Sequence, residues 1–320
     1  MEHTDRFIIE DGVLKEYRGD ERIAVPEGVR EIGERAFAWD RGVVSVTLPE
    51  GLERIGEEAF YLCGRLKSVN IPQSVKQIGA RAFDGCRKLT AFTPPAEDAV
   101  LGDDSFSECK GLADKDGFLT VGHVLYGYYG SEAHVVVPRD VKKIGVRAFA
   151  EQGEGTLTAV TLPEGLEKIG RDAFSCCRRL TSVSLSDTPV RIGVRAFWGC
   201  ESLAKIALPE HAKIEDGAFR GCERLADENG FLIIRGILFD YFGGLSEVAV
   251  PEGVTRISED AFCYNDGLLR VSLPESVKSL GRYAFAGCKN LERVDLPKGE
   301  ISIEEDAFLH CDRLIKPKQK

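Results

Sequence analysis

LKSVNIPQSVKQIGARAFDGCRKL, residues 66–89, contains the pattern on which the fold depends. Its first part ends in a period-two alternation that places Val69 and Ile71 on the same side of a short strand. Pro72 ends this strand, because proline has no N–H group with which to continue a ladder of hydrogen bonds. The remaining residues return the chain through turns or a short helical segment, in which Phe83 is the largest apolar side chain.

The same pattern recurs along the chain and is most visible as a phenylalanine that follows alanine, with Ser105 before Phe106 as the one exception. Successive phenylalanines are 22 to 25 residues apart, apart from two gaps of 43 residues. The eleven positions are Phe37, Phe60, Phe83, Phe106, Phe149, Phe174, Phe197, Phe219, Phe262, Phe285 and Phe308. A repeat this short can bury its apolar side only against its neighbours, so the period predicts a solenoid of stacked turns with one continuous core.

A glycine stands four residues before the phenylalanine in most repeats. These glycines are Gly33, Gly56, Gly79, Gly102, Gly145, Gly170, Gly193 and Gly281. Glycine tolerates a positive φ and also lets two backbones approach closely. The pattern leaves both explanations open for this position.

A longer period lies on top of the short one. Phe7, Phe118 and Phe231 are 111 and 113 residues apart, and each begins two short apolar stretches around a turn, which predicts a β-hairpin. We therefore expect a single solenoid over residues 1–320 that contains super-repeats 1–113, 114–226 and 227–320. Tyr128 and Tyr241 occupy matching positions in their hairpins and are expected to pack each hairpin onto the solenoid.

The unit Ser68-Val69-Asn70-Ile71-Pro72 through Ile78-Gly79, Ala82-Phe83 and Cys86 closely resembles the BspA-like class of leucine-rich repeats, and the resemblance covers nearly the whole chain. It implies an α/β repeat fold, a right-handed solenoid with a parallel β-sheet on one face and turns and short helical segments on the other. The three hairpin-like segments are then inserts in that solenoid. The resemblance also implies a role in protein interaction, and several members of the class are secreted or surface proteins that bind host or matrix components.

The net charge of −10 argues against sequence-independent binding of nucleic acid or of anionic membranes, since both require clustered basic side chains. No apolar stretch approaches the roughly 20 residues that span a bilayer, so membrane insertion is not expected. The stretch from Met1 to Phe7 has none of the features of a signal peptide. We expect a cytoplasmic protein on this sequence, and an extracellular or cell-surface one if the native protein carries a signal that is missing here.

Eight of the ten cysteines share one repeat position, three residues after the phenylalanine. They are Cys63, Cys86, Cys109, Cys177, Cys200, Cys222, Cys288 and Cys311. A position repeated in this way predicts a buried thiol that packs as a small apolar side chain. Disulfides between neighbouring turns remain an alternative, whereas zinc is disfavoured because the chain contains no Cys-x-x-Cys pair.

The five histidines fall at unrelated repeat positions, and the sequence contains neither a nucleophile-elbow pattern nor a phosphate-binding loop. The sequence therefore supports no catalytic residue, no metal site and no cofactor. We predict that the protein is not an enzyme.

Variable positions on the predicted strands are the first candidates for a binding site. Most of them are small residues that fit strand propensity alone. The C-terminal part differs, with Lys205, Glu247, Arg270, Arg293 and Asp295. These five charged residues are our first candidate for contact with a partner.

Aromatic residues of the hairpins form a second candidate group, because exposed aromatic side chains often anchor interfaces. Tyr126, Tyr129 and Phe242 are the members that the repeat pattern does not explain. Trp39 and Trp198 lie close to the repeat phenylalanines and are expected to be packing residues.

The leading hypothesis is a non-enzymatic scaffold that binds another protein through its extended surface. The alternative is a surface adhesin or a carbohydrate or matrix binder, which requires export of the native protein. An enzyme would require a convergent pocket of ionisable groups with shifted pKa values. The sequence leaves the identity of the partner and the oligomeric state open.

Overall fold

The computed structural model describes residues 6–152, 155–315 and 318–319. Contacts divide the chain into two compact units, the first of residues 1–131 with 138–151 and the second of residues 132–137 with 152–320. The residues before Arg6, on which the expectation about export largely rests, lie outside the described part.

Each unit is a β-solenoid with two kinds of parallel ladder, and the strands are numbered β1 to β29 in chain order. We call the ladder formed by the strands equivalent to residues 68–70 the strand face. We call the ladder formed by the two-residue strands of the returning segments the return ladder. In the first unit the strand face consists of β3 (Arg22–Ala24), β5 (Ser45–Thr47), β7 (Ser68–Asn70) and β9 (Ala91–Phe92).

The return ladder of the first unit begins with an antiparallel hairpin, and a second hairpin follows later. The first group comprises β1 (Phe7–Glu10), β2 (Val13–Tyr17), β4 (Glu31–Ile32), β6 (Arg54–Ile55), β8 (Gln77–Ile78) and β10 (Val100–Leu101). The second group comprises β11 (Phe118–Val121), β12 (Val124–Tyr128) and β14 (Lys143–Ile144).

The second unit has two sheets on its strand face. One consists of β13 (His134–Val136), β15 (Ala159–Thr161), β17 (Ser182–Ser184) and β19 (Lys205–Ile206). The other consists of β23 (Glu247–Ala249), β25 (Arg270–Ser272), β27 (Arg293–Leu296) and β29 (Lys318–Gln319).

The return strands of the second unit form two groups, and the second group again begins with a hairpin. The first group comprises β16 (Lys168–Ile169), β18 (Arg191–Ile192) and β20 (Lys213–Ile214). The second comprises β21 (Phe231–Ile234), β22 (Ile237–Tyr241), β24 (Arg256–Ile257), β26 (Ser279–Leu280) and β28 (Ser302–Ile303).

The strands form because buried apolar residues alternate with more exposed ones, as the sequence predicted. In β7, Val69 is buried while Ser68 and Asn70 are partly exposed, and Val69 pairs in register with Val46 of β5 and Phe92 of β9. Neighbouring turns therefore place their apolar residues in columns, and these columns form the core. The predicted leucine-rich-repeat solenoid with a parallel sheet and three hairpins is confirmed.

The returning segments contain less helix than expected. Within the described ranges, helix is limited to single turns of 3₁₀ helix such as Lys110–Leu112, Ala150–Gln152 and Glu223–Leu225. Neighbouring strands are about 4.8 Å apart, whereas an α-helix with its side chains is about 10 Å wide, so helices do not fit between turns that pair on both faces. No helix in the described part of the chain is long and apolar enough to cross a membrane.

The glycines before the phenylalanines allow close approach between turns. A Cβ atom at Gly79 would lie 2.5 Å from the backbone nitrogen of Glu57, and one at Gly102 would lie 2.4 Å from that of Ala80. Neither glycine has a positive φ. Of the two explanations that the sequence left open, close approach is confirmed and positive φ is wrong.

Positive φ values occur instead two residues before and two residues after the phenylalanine. Around Phe83 these residues are Arg81 (φ 54°) and Gly85 (φ 80°), and around Phe262 they are Asp260 (φ 61°) and Tyr264 (φ 59°). The chain thus turns sharply on both sides of each buried ring. Sequence reasoning missed this feature because most of these residues are not glycine, and other residues rarely adopt this conformation.

The core of each unit is built around columns of stacked phenylalanines. In the first unit, Phe37, Phe60, Phe83 and Phe106 are stacked nearly parallel, with successive ring centroids 4.7, 5.0 and 5.1 Å apart. The second unit has equivalent stacks, for example Phe262 on Phe285 at 4.8 Å. A ring in the interior of a column therefore contacts the turn before it and the turn after it, as the repeat predicted.

Candidate binding surfaces

The structure brings three of the predicted charged residues together on the strand face. Glu247, Arg270 and Arg293 are register partners on β23, β25 and β27, and all three side chains are exposed. Arg270 Nη1 lies 4.0 Å from Glu247 Oε1. We call these three residues the charged column.

Two other predicted residues are not part of this column. Asp295 lies on β27 and pairs with Arg293 of the same strand, so it orients that guanidinium group. Lys205 lies on β19, which belongs to the other strand-face sheet of the second unit. Sequence position alone did not reveal this separation, because the third hairpin begins a new sheet.

In the first unit, the strand face carries a shallow groove of about 740 Å³ lined by small polar side chains and by apolar ones such as Phe92 and Leu112. Ser45 and Ser68 are hydrogen-bonded to each other across neighbouring strands at 3.0 Å. Asn70 donates to the carbonyl of Leu48 and accepts from its N–H. These polar groups largely satisfy one another, so the charged column remains the chemically distinctive part of the strand faces.

The hairpins align as predicted. Phe7, Phe118 and Phe231 pair with Tyr17, Tyr128 and Tyr241, and each hairpin has a register irregularity at the same point. All three tyrosines are buried. The prediction that Tyr128 and Tyr241 pack the hairpins onto the solenoid is confirmed.

Tyr126 does not fit its proposed role as an exposed anchor. Its ring is buried edge-on against Phe106, and its hydroxyl is hydrogen-bonded to Ser105 at 2.8 Å. Burial raises the pKa of Tyr126 to about 12. Ser105 is the one residue that replaces alanine before a repeat phenylalanine, and the third hairpin has Phe239 and Ala218 at the matching positions. The serine and the tyrosine are thus a hydrogen-bonded pair inside the core.

Tyr129 and Phe242 occupy matching positions in two hairpins but differ in their surroundings. Tyr129 is partly buried and folds back, so that a Cβ atom on Gly127 would lie 2.6 Å from its hydroxyl oxygen. Lys110 Nζ lies 5.2 Å from the centroid of the Tyr129 ring. In the third hairpin, Asp240 replaces Gly127 and Phe242 is 36% exposed.

Phe242 lines a pocket of about 440 Å³ in the second unit, where two repeat turns end against the third hairpin. We call it the turn-edge pocket and define it by Cys176, Trp198, Gly199, Arg220, Asp240 and Phe242. Gly199 and Gly221 stand two residues after their phenylalanines, where other turns carry side chains such as Trp39 and Tyr264. The absence of those side chains makes room for the pocket.

Asp240 caps the end of the ladder of turns at this pocket. In regular turns the N–H group at this position donates to the next turn, as Gly199 N–H does to the carbonyl of Arg220 at 2.8 Å. At Gly221 the carboxylate Oδ2 of Asp240 accepts that hydrogen bond at 2.9 Å. Burial raises the pKa of Asp240, and the hydrogen bond from Gly221 and the charge of Arg220 oppose this shift.

Arg220 forms the charged wall of the turn-edge pocket. Its Nη1 lies 3.4 Å from Asp260 Oδ2, whereas its Nε is buried and has no hydrogen-bond acceptor among the described residues. A buried donor without an acceptor is costly, but this atom is closed to solvent, so a ligand can reach only the rest of the Arg220 side chain, which is 26% exposed overall.

The expectation that both tryptophans only pack was wrong in part. Trp39 contacts Tyr61 edge-on but is more than half exposed, and Trp198 is 37% exposed at the pocket. The signals that could have identified the pocket are the replacement of glycine by Asp240 in one hairpin and two consecutive glycines in the column that includes Gly199.

Seven of the eight cysteines in the column are buried, as predicted, and Cys311 is partly buried. Cys86 Sγ donates to the carbonyl of Phe60 at 3.2 Å, and Cys200 Sγ donates to that of Phe174 at 3.1 Å. Burial raises the pKa of the Cys63 thiol to about 12. All ten cysteines are free, and no group of three or more His, Cys, Asp or Glu side chains is arranged to hold a metal ion within the described ranges.

We expect native thiol labelling to follow this burial. Under mildly alkaline conditions, iodoacetamide should modify the partly exposed Cys176 much faster than Cys86 or Cys200, because a buried, protonated thiol is a poor nucleophile. Peptide mass spectrometry measures the rate at each site, and labelling in denaturant provides the control for intrinsic reactivity. Equal native rates at Cys86 and Cys176 would contradict the prediction.

The repeats match a known family model over most of the chain. The model for the BspA type leucine-rich repeat region matches residues 8–115, 120–230 and 232–318 in six copies. The chain belongs to this family. The resemblance seen in the sequence is thereby confirmed.

Solved structures of leucine-rich repeat proteins are similar to the chain, whereas no curated protein sequence matches it. A leucine-rich cell surface protein from Faecalibacterium prausnitzii is 26% identical over 97% of this chain and 86% of that chain, with a TM-score of 0.40. A leucine-rich repeat protein from T. pallidum is 27% identical over 63% of this chain and 91% of that chain, with a TM-score of 0.39. The pneumococcal vaccine antigen PcpA is 19% identical over 89% of this chain and 79% of that chain, with a TM-score of 0.45.

Proposed function

We propose that this protein is a non-enzymatic repeat scaffold that binds another protein through the charged column of its second unit. The observation that carries the proposal is the alignment of three exposed charged side chains, Glu247, Arg270 and Arg293, on adjacent parallel strands. Backbone pairing fixes the spacing of the strands at about 4.8 Å, so the two guanidinium groups are presented in a preorganised row.

The surroundings of the column favour contact with a protein. The next outward-facing position along the strand is Ala249 on β23 and Ser272 on β25, and these small residues leave the neighbouring charged side chains accessible. Leu269 directly precedes Arg270 and is exposed. Arginine is enriched at protein interfaces, and Leu269 adds apolar surface beside it. Both guanidinium groups can form paired hydrogen bonds with carboxylates of the partner, which would replace their contacts with Glu247 and Asp295.

The test is quantitative affinity capture from native lysate with the Arg270→Ala plus Arg293→Ala variant. We expect at least a roughly tenfold decrease in the specifically captured protein, which corresponds to about 1.4 kcal/mol of binding free energy. Since both side chains are exposed, thermal unfolding of the variant should remain close to that of the wild type.

The control is Arg171→Ala plus Arg179→Ala, which removes the same charge from exposed residues outside the strand ladders. This variant should capture as much partner as the wild type. Equal capture by all three proteins would overturn the charged column as the binding site, and a similar loss in both variants would assign the effect to net charge alone.

A further inference from the structure

We infer that the turn-edge pocket of the second unit binds a neutral saccharide of one or two rings, at a site separate from the charged column. The pocket volume of about 440 Å³ lies in the range of roughly 300 to 1,000 Å³ that is typical of small-molecule sites. Its lining combines aromatic rings with charged groups of both signs, and each of these features restricts the class of ligand.

The aromatic part is supplied by Trp198 and Phe242, which are 37% and 36% exposed. Neither ring contacts another aromatic ring among the residues that the structure describes. An exposed ring that lines a pocket offers an apolar face to a ligand, while the edge of the pocket remains polar. A pyranose ring matches this arrangement because its C–H groups form an apolar face and its hydroxyl groups point outward.

The charged side chains that line the pocket disfavour a ligand with a net charge. A cation would approach the guanidinium group of Arg220, and an anion would approach the carboxylates of Asp240 and Glu223. On the rim, Arg178 and Glu201 already form an ion pair, with Nε 3.3 Å from Oε1. Local charges of both signs therefore oppose a ligand with a single net charge.

Hydroxyl groups satisfy both kinds of lining group, because each can donate and accept a hydrogen bond. The guanidinium group of Arg220, whose side chain is 26% exposed, can donate to a ligand hydroxyl oxygen. The carboxylate of Glu223 can accept from a neighbouring hydroxyl group. A neutral polyhydroxylated ring thus meets the requirements of the donor, the acceptor and the aromatic rings together.

The third hairpin differs from the second in the residues that this pocket needs. In the second hairpin Tyr129 folds over Gly127, where a Cβ atom would lie 2.6 Å from the tyrosine oxygen. Asp240 replaces that glycine in the third hairpin, so a ring folded in the same way would meet its Cβ atom, and Phe242 is 36% exposed. Asp240 therefore has two positioning roles, since it also caps the N–H group of Gly221.

The experiment uses the fluorescence of Trp198, which lines the pocket, to report binding. The chain has two tryptophans, so the Trp39→Phe variant leaves Trp198 as the only one. We expect a saturable change in its fluorescence on titration with neutral methyl glycosides or their disaccharides, with Kd values in the millimolar range or below. The Trp198→Phe variant, which retains only Trp39, should not respond to the same saccharides.

Two substitutions in the Trp39→Phe background locate the site. Phe242→Ala and Glu223→Gln should each weaken binding at least about fivefold, because the first removes an aromatic wall and the second a charged acceptor. Tyr264→Ala is the matched control, since this ring is 76% exposed and lies outside the pocket lining, and its Kd should be unchanged.

Three outcomes would overturn the inference. The first is no response of Trp198 to any of the neutral saccharides. The second is a response that both Phe242→Ala and Glu223→Gln leave unchanged. The third is a response only to a charged probe, either N-acetylarginine amide or glutarate, which would assign the pocket to a charged ligand.

Discussion

Replacing Phe83 by alanine is expected to lower the free energy of unfolding by about 3 to 5 kcal/mol. The Phe83 side chain is fully buried, and its ring lies 5.0 Å from that of Phe60 and 5.1 Å from that of Phe106. The substitution removes the apolar contacts of the ring and leaves a cavity between two neighbouring turns. In a stack of repeats this affects the interfaces on both sides, because each turn is stabilised mainly by its neighbours.

Equilibrium unfolding in denaturant, followed by circular dichroism, measures this change. The matched control is Tyr264→Ala, which removes an aromatic ring that is 76% exposed and is expected to cost less than about 1 kcal/mol. If Phe83→Ala were no more destabilising than the control, the phenylalanine column would not be the main source of stability that the packing indicates.

Replacing Gly79 by alanine is expected to destabilise the protein by about 1 to 3 kcal/mol, although alanine usually stabilises a chain relative to glycine. The added Cβ atom would lie 2.5 Å from the backbone nitrogen of Glu57 and 2.6 Å from the carbonyl carbon of Gly56. These are backbone atoms of the neighbouring turn and cannot rotate away. The two turns must separate, which weakens the pairing of both ladders.

Gly51→Ala is the matched substitution with the opposite expected sign. No atom lies within 4 Å of a Cβ atom at this position, and Gly51 does not have a positive φ. The variant should therefore gain about 0.4 to 1 kcal/mol, because alanine has less conformational entropy in the unfolded chain. Equal effects of Gly79→Ala and Gly51→Ala on the denaturation midpoint would contradict the close approach between turns.

Much of the candidate site could be predicted from the sequence. The residues that the sequence misplaced were misplaced for specific physical reasons. Arg270 and Arg293 were predicted as a pair because they share a repeat position on adjacent turns, and the ladder places such residues side by side. Lys205 shares that position but lies in another sheet, since a hairpin interrupts the order of turns. Tyr126 was misplaced because its partner Ser105 is 21 residues away and becomes a neighbour only when the hairpin packs against the last repeat.

The repeat by itself determined the turns, the columns of core residues and the buried cysteines. These features follow from local alternation and from contacts between identical positions on successive turns, so a single period is enough to predict them. The backbone conformation of the sharp turns beside each phenylalanine could not be predicted in the same way, because residues such as Arg81 adopt a positive φ that their identity does not indicate.

The turn-edge pocket could be identified only from the tertiary structure. Its existence depends on Asp240 excluding Phe242 from the space that Tyr129 fills over Gly127 in the other hairpin, and on Gly199 leaving room beside Trp198. No periodic signal encodes such a feature, because it arises where the repeat is interrupted and side chains from different elements compete for the same volume.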